Sequence, residues 1–394
     1  MHYALTCSIL VFMLLAIFTS RKKLWAGLLL LAIAIIIIIY PFDSLSAAKE
    51  GVNLWLFVVV PSLLPFFILN DMMVALDVPK NISYVFSPIS KVLFNTSGYG
   101  AYAFIMSIFS GYPSGAKITS SLIKSGHITK DEGQRILTFS STSGPLFIIG
   151  AVGTGMLKSV SAGYMLFASH ILGAILNGIM YNIIFHKSDQ KNSPDIFISS
   201  RDSIDASRLL SSSISSSLIT CGYIGGYIIL FSVIIKLFNK INFFYIPFLT
   251  GIVKKFMTFL IQGSLEISSG SGIIASSTLP MEFKLILLSF IIGFGGLSIL
   301  GQVATVVSGT GIDIKKYTLS KLTQGGLSSL VCLLILKINI FSSSVFSHGT
   351  SANKPDIILF IEVLLSLMLI LNIIGHLIKQ SNAKHIHGRG YIKK

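Results

Sequence analysis

Long apolar runs with almost no charged residues constrain the fold of this chain more than any other feature. Residues 24–40 carry no charge, and only 11% of the 394 residues are charged, against roughly 25% in soluble domains. A run of about 20 mainly apolar residues can cross the hydrocarbon core of a bilayer. Only helices and closed barrels satisfy their backbone polar groups there, and runs without alternating polarity favour helices. The sequence therefore predicts an all-α polytopic membrane protein.

The apolar segments divide the chain into five parts. We predict helices near residues 3–20, 24–40, 52–76, 98–110, 139–157, 161–185, 215–238, 243–262, 281–308, 325–341 and 357–378. The predicted parts are an N-terminal transmembrane hairpin (1–50), a first repeat (51–185), a hydrophilic linker (186–208), a second repeat (209–341), and a final transmembrane helix with a basic tail (342–394).

Charge and cysteine content exclude several classes of protein. Lys and Arg outnumber Asp and Glu by 30 to 15, but they concentrate between the apolar segments, as the positive-inside bias requires. We therefore expect no nucleic-acid partner, and we expect the 21–23 turn and the C-terminal tail to face the cytoplasm. Cys7, Cys221 and Cys332 are far apart in apolar segments, which predicts neither a metal cluster nor a disulfide framework. The sequence predicts no metal, no cofactor and, since no P-loop is present, no coupling to ATP within this chain.

One stretch, FSGYPSGAKITSSLIKSG at residues 109–126, interrupts the apolar pattern. A non-helical break at membrane depth leaves amides and carbonyls unpaired unless protein or cavity water satisfies them. The free N–H groups at the start of a half-helix suit an anion, and Lys117 would add a full positive charge. The stretch therefore predicts a binding site. The alternative is that Lys117 extends to the membrane interface.

A second polar segment has the same composition. SSTSGP at residues 140–145 leads directly into an apolar half-helix, and Pro is tolerated in the first turn of a helix. This arrangement predicts a re-entrant hairpin. An ordinary helix–loop–helix at the surface is the alternative.

The first break recurs later in the chain. Residues 109–138 can be laid on residues 294–323 at an offset of 185, which matches Gly111 with Gly296 and Gly126 with Gly311. Interrupted hydrophobic segments at corresponding positions of two halves are typical of secondary transporters. We therefore predict two inverted-repeat halves that meet near the linker. Broken or re-entrant segments are expected at 110–126, 140–147, 264–274 and 294–302.

The few ionisable residues in apolar context are candidates for function. Asp71 is a coupling-ion candidate or else marks a helix end, and Glu266 lies beside a Gly/Ser-rich tip. Both carboxylates should face the protein, because a carboxylate facing lipid at mid-depth costs at least about 2.5 kcal/mol. The polar residues His170, Asn177 and Asn182 share one predicted helix, where interhelical hydrogen bonds explain them better than transport does.

Four ordered motifs, SGYPSGAK, SSTSGPLFIIGAVG, LEISSG and FGGLSILGQV, resemble those of the sporulation integral membrane proteins of the YlbJ type. These belong to the nucleoside-recognition (Gate) domain superfamily, which is distantly similar to concentrative nucleoside transporters. The resemblance covers roughly residues 50–375. It implies two Gate-like repeats and a place in the mother-cell-derived (outer) forespore membrane of an endospore-forming bacterium. It also implies transport of a small anion, dipicolinate (pyridine-2,6-dicarboxylate), during sporulation.

Carried over by position, the family motifs imply a set of substrate-binding residues and no catalytic residue. The set is Ser110, Gly111, Tyr112, Pro113, Gly115, Lys117, Ser143, Gly144, Pro145, Glu266, Gly296, Ser298 and Gln302. The chain departs from the family pattern at Thr142, where members often carry Asn, and at Leu300, where they often carry His. Both changes remove a polar group from the expected site.

Two other functions remain open at this point. A nucleoside-type carrier follows from the superfamily, and a non-transporting membrane scaffold is compatible with the same spans. An intramembrane enzyme would need a nucleophile–base pair or metal ligands, and the scattered His and isolated Cys residues do not form such a group, so we expect no enzyme. Membrane lipids are the surrounding partner. A homo-oligomer or other sporulation membrane proteins are the protein partners left open.

Overall fold

The computed structural model describes residues 22–184, 206–241 and 251–337. The predicted helices near 3–20 and 357–378, most of the linker and the basic tail lie outside these residues. Within the described residues the protein is helical, and no strand occurs.

Two π-helices and a series of α-helices make up the described chain. In chain order they are α1 (Lys22–Ile39), α2 (Pro41–Leu54), π1 (Trp55–Val59), α3 (Val60–Ala75), α4 (Val78–Phe94), α5 (Gly98–Ser110), α6 (Ser114–Lys124), α7 (Lys130–Ile136), π2 (Leu146–Met156), α8 (Val160–Ile184), α9 (Ala206–Lys240), α10 (Gly251–Leu265), α11 (Ile267–Ala275), α12 (Met281–Phe294), α13 (Gly296–Val306) and α14 (Ile314–Lys337).

The length and composition of these helices fit a polytopic membrane protein. Four uninterrupted or nearly straight segments of the described chain could each cross a bilayer. They are Val160–Ile183, Ala206–Lys240, Met281–Val306 and Ile314–Lys337. Two bent pairs bring the total to as many as six spans: α1 meets the helix after it at 103°, and α4 meets α5 at 93°. Large apolar side chains such as Ile38 and Phe57 are mostly exposed, as lipid-facing residues are in a membrane protein.

The helices pack as two groups. The long helix α9 lies along α2 and α3, where small clusters centred on Phe67 and Leu237 form. We call α1–α3, π1 and α9 the lateral layer. The remaining described helices share one large apolar cluster, in which α14 packs on α8 and α12. We call them the core bundle. The stacked rings of Phe94 and Phe139, with centroids 3.9 Å apart, lie in this bundle.

Each of the four segments predicted to be broken contains an interruption. The paired glycines of the sequence repeat also share a positive φ angle. Gly111 and Gly296 have φ of 79° and 77°, and Gly126 and Gly311 have φ of 77° and 76°. Left-handed φ values of this kind are readily adopted by glycine alone. The two successions α5–α6–α7 and α12–α13–α14 therefore share glycines of positive φ at corresponding positions, while the inversion of the two halves stays a prediction.

The structure corrects two element boundaries. The segment with Pro79 and Pro88, which lies between the predicted helices 52–76 and 98–110, is the helix α4; Pro79 lies in its first turn, where no intrahelical N–H is needed. Helix α14 begins at Ile314 instead of near 325. Its first turns carry Lys315, Lys316 and Thr318, which are polar residues outside the predicted span.

Close packing of α8 on α14 depends on Gly173. A Cβ at Gly173 would lie 2.8 Å from the Ser328 Cα on α14, so Gly173→Ala should force the helices apart and destabilise the protein by about 1–3 kcal/mol. Gly222→Ala on α9 is the matched control, because nothing lies within 4 Å of a Cβ there. We expect a lower thermal unfolding midpoint in detergent for Gly173→Ala only. Equal midpoints for the two variants would contradict this packing.

Candidate functional site

The first break brings two stretches of backbone into contact. Helix α5 ends at Ser110, and α6 begins at Ser114. A Cβ at Gly111 would lie 2.7 Å from the Gly144 amide nitrogen. A Cβ at Gly115 would collide with the Ser140 carbonyl oxygen. Glycine is therefore required at both positions for the break to pack against the polar segment at 140–144.

That polar segment is held from both sides by the core bundle. The Ser143 N–H donates to His170 Nε2 over 2.8 Å, and the hydroxyls of Thr142 and Ser107 lie 2.8 Å apart. The segment is not helical, and helix π2 starts two residues after Gly144. Its backbone polar groups therefore depend on partners from other elements, as an interruption inside a membrane protein requires.

The third and fourth breaks lie in the second half. Glu266 is the N-cap of α11, and its two carboxylate oxygens accept from the N–H groups of Ser268 (3.0 Å) and Ser269 (2.6 Å). Gly295 separates α12 from α13 with a left-handed φ of 85°. A Cβ at Gly296 would lie 3.2 Å from the Ser264 carbonyl oxygen and 3.3 Å from that of Leu265. These two breaks therefore pack on each other as the first two do.

All four breaks contribute residues to one cavity of about 550 Å³ between the core bundle and the lateral layer. The lateral layer supplies an apolar wall that includes Val59, Leu63 and Ile228. The core bundle supplies the polar wall. Seven of the predicted site residues line it: Ser110, Gly111, Tyr112, Ser143, Gly144, Glu266 and Gln302.

Six predicted site residues do not line the cavity. Gly115 and Gly296 pack the backbone behind it, and Ser298 accepts a hydrogen bond from Gln302 Nε2 over 3.2 Å. Pro113 and Pro145 flank the helix starts. The sixth is Lys117.

Lys117 does not line the cavity and is instead paired with a carboxylate. Its ammonium forms an ion pair with Asp71 at 2.8 Å, lies 3.4 Å from the Ser217 hydroxyl and sits over the Phe67 ring at 5.0 Å. The lysine is buried, so it does not extend to the interface either. Asp71, the coupling-ion candidate, is occupied by this lysine. The pair joins α6 of the core bundle to α3 of the lateral layer.

The cavity is mostly apolar, with few polar groups. Glu266 is the one charged side chain among the described residues that line it. Its charge is partly offset because both oxygens accept from the N-terminus of α11, which carries a partial positive charge. Gln302 is 1% exposed, and its Oε1 has no hydrogen-bond partner among the described residues. A buried acceptor without a partner is costly, and a bound ligand with a donor would satisfy it.

Comparison of the sequence with known proteins shows the family to which this chain belongs. Over 328 residues, covering 76% of this chain and 79% of the other protein, the sequence is 31% identical to the Sporulation integral membrane protein YlbJ of Bacillus subtilis (strain 168). The chain belongs to the YlbJ family of sporulation integral membrane proteins. No protein-family model matches it, so the Gate superfamily stays a prediction. No solved structure matches it either.

Sequence reasoning missed a buried polar cluster in this YlbJ-family chain. Tyr317, Lys321 and Gln324 lie on one face of α14 and are completely buried. Their spacing of four and three residues places them on one side of a helix. That signal was present, but the predicted helix near 325–341 leaves all three residues outside it.

The polar residues of α8 are correctly predicted to bond between helices. Asn177 Nδ2 donates to the carbonyl oxygens of Thr138 (2.6 Å) and Ser320 (3.1 Å). Asn182 Nδ2 donates to the Leu93 carbonyl oxygen over 3.1 Å. Asp71 and Glu266 both face the protein as well.

The ion pair predicts how Lys117 variants behave. Lys117→Gln leaves the Asp71 carboxylate without its counter-charge, and breaking a buried pair costs about 3–5 kcal/mol. We expect a clear loss of thermal stability in detergent and of protein abundance in the membrane. The double variant Lys117→Gln with Asp71→Asn should regain most of the stability, because no uncompensated charge remains. A stable Lys117→Gln single variant would show that the pair is unimportant.

Proposed function

We propose that this chain is a membrane transporter of a small anionic metabolite, most specifically dipicolinate, and that it works during sporulation. The convergence of four helix breaks on one cavity carries the proposal. Interrupted helices are expensive at membrane depth and are found where they line a path or a ligand site. The proposal involves no covalent chemistry and hence no catalytic residue.

The dimensions and walls of the cavity suit a flat aromatic acid. Ligand sites commonly measure about 300–1,000 Å³, and the cavity volume of about 550 Å³ lies in this range. The apolar wall of the lateral layer would contact a pyridine ring. The polar groups at Ser143 and Gly144 would face its carboxylates.

Local electrostatics favour an anion in spite of Glu266. Helices α6, π2 and α13 all begin at the breaks, and helix N-termini attract negative charge. Lys321 lies behind the cavity wall, and its ammonium donates a hydrogen bond over 2.7 Å to the hydroxyl of Tyr112, which lines the cavity. The Glu266 carboxylate is engaged by two backbone N–H groups, which reduces its repulsion of an incoming anion.

Family membership supports a role in sporulation. The relative from Bacillus subtilis carries a sporulation name, and dipicolinate is an anion that accumulates in the spore. We place the transporter in the mother-cell-derived membrane around the forespore, with membrane lipids as its surroundings. A second copy or other sporulation membrane proteins are the partners consistent with this location.

A nucleoside-type carrier is the second candidate. The partnerless Gln302 Oε1 and the Glu266 carboxylate are acceptors in the cavity wall, and a nucleoside offers hydroxyl and amide donors. Uptake of labelled dipicolinate into proteoliposomes, with excess unlabelled dipicolinate or uridine as competitor, distinguishes the two. Competition by uridine alone would decide for the nucleoside carrier. Absence of uptake of either compound by folded protein would favour the scaffold function.

Filling the cavity should stop transport. Ile228 lines the cavity from α9 and is buried, whereas Ile219 on the same helix is 59% exposed. We expect Ile228→Trp to reduce dipicolinate uptake to near background, because the indole occupies the space of the substrate. Ile219→Trp should transport normally, since its indole would lie in lipid. Normal uptake by a well-folded Ile228→Trp protein would place the pathway elsewhere.

A further inference from the structure

A buried lysine lies directly behind the polar wall of the cavity. The Lys321 side chain has no exposed surface. Its ammonium donates to Tyr112 Oη (2.7 Å), the Ser141 carbonyl oxygen (2.7 Å) and Gln324 Oε1 (2.6 Å). A lysine ammonium has three donors, so all of them are used. The Tyr112 ring also faces the ammonium, with its centroid 4.7 Å away.

No carboxylate compensates this charge. Within the part of the chain that the structure describes, Lys321 forms no ion pair. Its ionisable neighbours there are Tyr112 and His170, and Tyr317 lies one turn before it on α14. Lys117 differs in this respect, since Asp71 balances it. Burying a cation among neutral groups is costly unless oxygens replace its hydration shell, and three oxygens do so here.

The three oxygens come from the elements that build the cavity. Tyr112 belongs to the first break and lines the cavity, and Ser141 belongs to the non-helical polar segment. Gln324 comes from α14. Unwound backbone carbonyls near the breaks are the groups that coordinate sodium in secondary transporters with discontinuous helices. These three neutral oxygens, one of which is a carbonyl oxygen of non-helical backbone, therefore have the composition of an alkali-cation site.

We propose that the Lys321 ammonium is a tethered cation that fills an alkali-cation site from within the chain. It joins the first break to the polar segment through Tyr112 and Ser141, as a bound sodium ion would. The polar wall is therefore assembled without any inorganic cation. A second consequence, which rests on the proposed function, is that uptake of the substrate is independent of sodium.

The test removes the tethered charge and offers a free cation in its place. The full-length protein is purified as wild type, Lys321→Ala and Lys321→Met, and thermal unfolding is followed in sodium chloride and in choline chloride at equal concentration. We expect the wild-type midpoint to be the same in both salts. Lys321→Ala should have a lower midpoint that sodium or lithium raises by several degrees, because a ligand that binds only the folded state stabilises it. Lys321→Met should have a lower midpoint without a sodium response, because its side chain still fills the site.

Lys284→Ala is the control for removal of a lysine that donates to a backbone carbonyl. Lys284 Nζ donates to the Ala275 carbonyl oxygen over 2.8 Å and is not enclosed by oxygens from the breaks. Its variant should show no response to sodium. The proposal is overturned if Lys321→Ala responds to neither sodium, lithium nor potassium, or if Lys321→Met is as stable as the wild type. If Lys321→Ala does not accumulate in the membrane, Lys321→Met is the deciding variant. A Lys321→Met protein as stable as the wild type overturns the proposal. Failure of both Lys321 variants to accumulate, while Lys284→Ala accumulates normally, supports it.

Transport measurements separate this proposal from the proposed function. Wild-type uptake of dipicolinate should proceed equally in sodium-free and sodium-containing media, and sodium-dependent uptake would contradict the tethered cation. If no uptake occurs in any salt while the unfolding data follow the expected pattern, the tethered cation stands and the choice of substrate is wrong.

Discussion

The need to satisfy backbone polar groups away from water governs the whole arrangement. Each break frees N–H and C=O groups that lipid cannot bind, so every break must pack against another element. The structure meets this need in pairs. The break at Gly111 packs on Gly144, and the break at Gly296 packs on the end of α10. Each contact requires glycine, since a Cβ would intrude on the facing backbone. The cavity forms where these two pairs meet the lateral layer.

The two buried lysines show two ways of placing a cation in such a protein. Lys117 has a carboxylate partner, so the pair is nearly neutral and serves to join the core bundle to the lateral layer. Among the described residues, Lys321 donates only to neutral oxygens, so no carboxylate there balances a positive charge on it. The proposed positive charge behind the cavity wall is therefore that of Lys321, although Lys117 lies in the more conspicuous sequence motif.

The sequence predicts the parts of this structure that depend on local pattern. Helical spans follow from apolar runs, and the breaks follow from Gly, Pro and hydroxyl residues inside them. The convergence of Ser143, Glu266 and Gln302 on one cavity also agrees with the motifs. Partners far apart in the chain could not be predicted. Asp71 and Lys117 are separated by 46 residues, and Tyr112 and Lys321 by 209. A single sequence gives no signal for such pairs, since each lysine by itself fits several environments.

The cavity has two walls of different chemistry, and this difference determines where selectivity can arise. The lateral layer contributes apolar side chains, which discriminate between ligands weakly, by about 1–3 kcal/mol per methylene. The core bundle contributes polar groups, and a ligand that leaves them unpaired loses far more. Gln302 is in the core bundle and nearly inaccessible, and its Oε1 has no partner among the described residues, so this oxygen must be matched by a ligand or remain unsatisfied. In the proposed transporter, recognition would therefore reside in the residues of the breaks, and the lateral layer would set the shape and size of the ligand that can enter.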